Sequence, residues 1–99
     1  MKKNFNIQAK VWRWPGMPAH AGDGGWYFVN LDKKVSKQIR DVYTRGFVKV
    51  YAAIGHTTWD ASLLPHKEDA SYLLCVKKLV RQKEGIFDGD MVKIKFKIK

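Results

Sequence analysis

Acidic residues are scarce in this sequence: nine Asp and Glu stand against nineteen Lys and Arg, a formal charge of +10 with histidine neutral. Cysteine is scarcer still. Cys75 stands alone, which excludes an intramolecular disulfide framework and makes a reducing cytosol the simplest setting. No apolar run approaches the roughly 20 residues a membrane helix needs. Met1-Lys2-Lys3 is basic, but no apolar segment of signal-peptide type follows it. The expectation is a soluble cytoplasmic protein without a membrane partner.

What is present suits a folded protein. A hydrophobic fraction of 45% with 13% aromatics excludes an intrinsically disordered basic tail. Residues 1–99 have the length of one domain with one modest core. Strands dominate the pattern. Phe5, Ile7, Ala9 and Val11 alternate with polar residues until Trp14-Pro15-Gly16-Met17-Pro18 stops the strand. Ala19–Gly25 reads as a glycine-rich loop, and Trp26–Leu31 as a second strand. Asp32 is placed to cap a short helix with Val35, Ile39 and Val42 on its inner face, and Lys33, Lys34, Lys37 and Arg40 toward water. Further strands are expected over Phe47–Ile54, Trp59–Leu63 and Tyr72–Val76, the last apolar on both faces and therefore central. Pro65–Ala70 reads as a charged loop and Lys77–Lys83 as two helical turns. In the closing segment Val92, Ile94, Phe96 and Ile98 alternate with Lys93, Lys95, Lys97 and Lys99, the cleanest strand of all.

The order repeats itself. Tyr27–Leu31, a helix with Arg40 and Val48-Lys49-Val50 are echoed by Tyr72–Val76, a helix with Arg81 and Val92-Lys93-Ile94. Two strand–helix–strand units in one chain suggest a pseudo-symmetric closed sheet, because closure removes the edges that six short strands would expose. The echo also favours a monomer over a homodimer.

Five fragments in order resemble a small prokaryotic family of uncharacterised function. They are Trp26-Tyr27-Phe28-Val29 with Arg40 beyond; Gly55 to Trp59 to Ser62-Leu63 with Pro65; Tyr72-Leu73-Leu74; Lys77-Lys78 with Arg81; and Gly89-Asp90 before the last strand. The resemblance runs from Phe5 to Ile98. It implies a double-split β-barrel, of a domain found alone or fused to a bacteriocin-resistance/OmpD-associated domain. Asp32 stands where the family often has proline, and Ala61 where it has threonine. The second unit also resembles the swapped-hairpin domains of transition-state regulators and antitoxins, a likeness that implies DNA binding. The fold expected is mainly β: one small double-split barrel of about six strands with two short helices.

Candidate chemistry is thin. His20, His56 and His66 lie in separate loops without the close His or Cys pairs of a zinc site, so no metal or cofactor is expected. Cys75 reads as an inert core thiol. Gly22, Gly24 and Gly25 precede a strand and lack the lysine and helix of a phosphate loop. Trp14, His56 and Trp59 are the candidates for an aromatic-lined small-molecule pocket. Lys77, Lys78, Arg81, Lys93, Lys95 and Lys97 are the candidates for an anion or nucleic-acid surface. Eight basic residues and three acids fall between Lys77 and Lys99. Lysines on alternate strand positions are about 6.6–6.8 Å apart, close to every second phosphate of a DNA strand at about 3.4 Å spacing. The same row also has a structural explanation as charge that protects an edge strand and aids solubility. The function expected is a non-enzymatic binding or accessory domain of unknown ligand, with nucleic-acid backbone binding as the second reading and the pocket as the third.

Overall fold

Strict alternation makes the closing segment a strand with two unlike faces: Val92, Ile94, Phe96 and Ile98 are buried, while Met91, Lys93, Lys95 and Lys97 are exposed. The computed structural model describes residues 4–14, 26–42, 46–65 and 71–99. In chain order the elements are β1 (Asn4–Lys10), β2 (Trp12–Arg13), β3 (Tyr27–Asn30), α1 (Lys33–Val42), β4 (Val48–Ile54), β5 (Thr57–Pro65), β6 (Tyr72–Cys75), α2 (Lys78–Glu84) and β7 (Met91–Ile98). The expected loop over Ala19–Gly25, and all of the Pro65–Ala70 loop but its first residue, lie outside the described residues.

The protein is mainly β. Among the described residues seven strands form one antiparallel sheet in the order β1-β7-β4-β5-β6-β3-β2. β1 and β2 stand at opposite ends of that order, yet only Val11 separates them in the chain. The sheet therefore curls until its ends share one residue. Val11 is fully buried; its N–H donates to the Asp90 carbonyl and its carbonyl accepts from the Gly89 N–H, each at 2.8 Å. The expected first strand is thus one length of chain serving two neighbours, which is why six expected strands are seen as seven segments. β6 lies between β5 and β3, the interior place its two apolar faces require. Val29, Val50, Leu63, Leu74 and Ile94 fill the core, and Phe5 stacks on its cross-strand partner Phe96 with ring centroids 5.2 Å apart. Each such side chain contributes roughly 1.5–3 kcal/mol by leaving water.

The internal echo is structural. Tyr27 and Leu31 lie 45 positions before Tyr72 and Val76. The pairing of β3 with β6 is symmetric about Val29 and Leu74: Leu31 N–H donates to the Tyr72 carbonyl and Val76 N–H to the Tyr27 carbonyl, both at 2.9 Å. β4 and β7 pair symmetrically about Ala52 and Phe96. The helices cross-brace the two units. The Arg40 guanidinium of α1 lies 5.7 Å from the ring centre of Tyr72, and that of Arg81 in α2 lies 3.8 Å from the ring centre of Tyr27.

Two expectations for α1 need correcting. Asp32 does cap it, its Oδ1 accepting the Val35 N–H at 2.7 Å. The buried face, however, is Ser36 and Ile39, while Val42 is exposed and Arg40 is half-buried over Tyr72 instead of pointing to water. Ser36 occupies the inward position because its Oγ has two jobs. It accepts the Tyr72 N–H at 3.1 Å and donates to the Leu31 carbonyl at 3.4 Å. β5 also begins earlier than expected, at Thr57, because Gly55-His56 alone makes the turn from β4. Gly55 has φ +57°, and an added Cβ would collide with the Glu84 carboxylate, whose Oε2 accepts the Thr57 hydroxyl at 2.6 Å.

Ser36→Ala should lower stability by about 1–3 kcal/mol, the cost of leaving a buried N–H without its acceptor; chemical denaturation measures it. Gly55→Ala should cost more than Gly85→Ala. Both residues have positive φ, a strain of about 1–2 kcal/mol, but only at Gly55 does the new methyl displace a hydrogen-bonded carboxylate.

Candidate functional site

The outer face of the sheet follows from the inner one. With Val92, Ile94, Phe96 and Ile98 turned inward, β7 must present its lysines outward. Register sets their neighbours. On the β1 side Lys93, Lys95 and Lys97 lie opposite Gln8, Asn6 and Asn4, which carry no charge. On the β4 side Lys95 lies opposite Ala53 and Lys97 opposite Tyr51, while the Lys99 N–H donates to the Lys49 carbonyl at 3.0 Å. Lys49 in turn lies opposite Ser62 and Tyr51 opposite Asp60.

Lys99 holds Asp60 in an ion pair at one end of this set, while at the other end Lys93 lines a depression with Glu84 and Asp90. The hydrogen bond from Lys99 keeps the Asp60 carboxyl below its ordinary range, against a smaller opposing effect of desolvation and with further help from the charges of Lys99 and Lys77.

Two open depressions flank the Lys97–Tyr51–Asp60 row. One, of about 560 Å³, is lined by Asn6, Gln8, Lys93 and Lys95 over a floor that includes Ala53 and Gly55. The other, of about 570 Å³, is lined by Trp26, Lys49, Asp60, Ser62, Leu64, Cys75, Lys77 and Lys99 among others. Lys77 reaches this surface because it lies two residues beyond the half-buried Cys75, on the side opposite the buried Leu74 and Val76.

The sequence-derived basic set therefore divides. Lys93, Lys95 and Lys97 form one row, and Lys77 joins the same face beside Lys99 and Lys49. Lys78 is exposed on the first turn of α2. Arg81 is committed elsewhere: half-buried, it lies over Tyr27 and its Nε donates to the Val76 carbonyl at 3.2 Å. Edge protection does not explain the lysines, because β7 is paired on both sides. Lys49 was missed by sequence reasoning. Alternation in Val48-Lys49-Val50 marks it as outward, but nothing local places it beside Lys99.

Trp14, His56 and Trp59 line neither of the two flanking depressions. Trp59 is in the core, with its Nε1–H donating to the Cys75 carbonyl at 3.3 Å. His56 sits exposed in the β4–β5 turn, and Trp14 lies beyond β2, 44% exposed. A different aromatic group assembles on the outer face. Phe28 lies between Trp12, at 5.4 Å and tilted, and Trp26, at 6.3 Å with the rings 10° from parallel. Cys75 is half-buried on the outer side and not a core thiol; burial pushes its pKa up, offset in part by Arg81 and Lys77. Among the described residues no three His, Cys, Asp or Glu are grouped to hold a metal ion, and no helix is long and apolar enough to cross a membrane.

Residues 8–96 match the family described as a domain of unknown function, DUF1905, and the chain belongs to that family. No curated protein matches the sequence.

A carboxyl held down by an ion pair should recover when the partner is removed. Lys99→Met should move the Asp60 titration upward toward the ordinary carboxylate range, as followed by NMR of the side-chain carboxyl. Because the folded pKa is depressed, the stabilisation from this pair is present above the unfolded pKa. It is lost as pH falls through the folded one.

Proposed function

We propose that the protein is a non-enzymatic binding domain of the cytoplasm whose outer sheet face holds the phosphates of a nucleic acid. One observation carries the reading. Lys93, Lys95 and Lys97 form a row on an interior strand, continued by Lys99 just beyond it, by Lys49 across register and to Lys77, and Asp60 at the Lys99 end is already paired. Like charges at this spacing repel, and an interior strand gains no edge protection from them. A polyanion spanning the row removes the repulsion and releases its own counterions. The amides of Asn4, Asn6 and Gln8 add neutral donors along one side. These groups position a backbone and do not read bases, which calls for bidentate side chains at a groove edge. The curling of the sheet by two units within one chain supports action as a monomer.

Generic DNA or RNA should bind at low salt. If about four phosphates are neutralised, affinity should fall roughly a hundredfold between 50 and 200 mM salt. The double variant Lys95→Glu/Lys97→Glu should weaken binding and flatten that dependence by about two units of log–log slope. Arg81→Met should lower thermal stability and leave the slope unchanged. Fluorescence anisotropy across a salt series measures the three slopes and thermal melting the stability of Arg81→Met, and an absence of binding at 50 mM salt overturns the reading.

A further inference from the structure

The lysine row does not end in plain solvent. Its far depression is walled by Trp26, which lines the same hollow as Lys49, Lys77 and Lys99. Trp26 is 47% exposed, a large apolar area to leave in water beside three ammonium groups. Its ring is not loose. Period-two geometry puts Trp26 and Phe28 on the same side of the chain, and they lie nearly parallel. Phe28 is buried and braced from its other neighbour by Trp12, whose Nε1–H donates to Asn30 Oδ1. At about 570 Å³ the hollow is within the range of small-ligand clefts, about 300–1,000 Å³. A flat, pre-oriented indole beside a basic track is the arrangement that single strands use, with phosphates on the cations and an unstacked base on the ring.

We infer that this face takes single-stranded nucleic acid, with Trp26 as the platform on which a base stacks. The inference rests on the phosphate-binding reading above and adds to it the class of nucleic acid. A duplex keeps its bases stacked on one another and has none to offer Trp26. An acidic protein segment complements the lysines and offers no ring to the indole.

The experiment compares probes of equal charge at low salt: a labelled oligothymidylate, a strand of the same phosphate count without bases, the corresponding duplex, inorganic polyphosphate and polyglutamate. The oligothymidylate should bind tightest. It should quench tryptophan fluorescence where the abasic strand does not. Trp26→Ala should weaken oligothymidylate binding by about 5- to 150-fold, the usual effect of removing one stacking platform. The same variant should leave polyphosphate binding unchanged, and Trp26→Phe should restore most of the loss. Equal binding of the strand with and without bases, or of duplex or polyglutamate as tightly as single strand, overturns the stacking site while the phosphate face stands. If none of the polyanions binds, the phosphate-binding reading fails and this inference falls with it. The comparison among probes needs only the unaltered protein, so a poorly folding Trp26→Ala variant does not weaken the test.

Discussion

The register of β7 is the constraint on which both the core and the basic face depend. Because strand side chains alternate strictly, a slip of one residue would carry Lys93, Lys95 and Lys97 into the core and turn Val92, Ile94, Phe96 and Ile98 out into water. Burying an unpaired ammonium is so unfavourable that such a slip is not an accessible alternative. β7 is pinned further by a neighbour on each side, with Phe96 stacked on Phe5 in one direction and opposite Ala52 in the other. Core and candidate site are therefore two sides of one strand.

Around this strand the fold is built from two similar units that have diverged in use. The cross-bracing of Arg40 over Tyr72 and Arg81 over Tyr27 ties each helix to the other unit's strand. The equivalence is imperfect where function would differ. At the position 45 residues before Arg81 stands Ser36, and both side chains donate to the carbonyl five residues earlier, of Leu31 and Val76 respectively. A short hydroxyl serves in one unit, and a long guanidinium in the other has enough reach to cover a tyrosine as well. Arg81 is basic in composition but structural in place, which removes it from the surface that its neighbour Lys77 joins.

Much of the fold was legible from local pattern. The six expected strand regions and both helices are present, the Asp32 cap is made, and the echo between the units marks a real pseudo-symmetry. The departures share one cause, which is a contact between residues distant in sequence. Ser36 is buried because it completes the hydrogen bonding of Tyr72, and a helical pattern scored on apolarity favours Val42 in its stead. Trp59 is a pocket candidate at the start of an expected strand, yet its inward place in β5 opposite Ala52 puts it in the core. The break at Val11 is invisible in an unbroken alternating run, since it is imposed by the need to meet β3 after leaving β7.

The sequence by itself determined the charge, the mainly β character and which lysines face outward, because strand periodicity is a property of consecutive residues. It also carried the family, through five short fragments in order. Only the tertiary structure decided that β7 is an interior strand and not an edge, that Lys49 and Lys77 share its face, that Arg81 does not, and that Trp26 stands at the end of the row with Phe28 beneath it. These are matters of which strands lie side by side and in what register. Such neighbours are chosen by the curling of the whole sheet, and no local stretch of sequence contains that information.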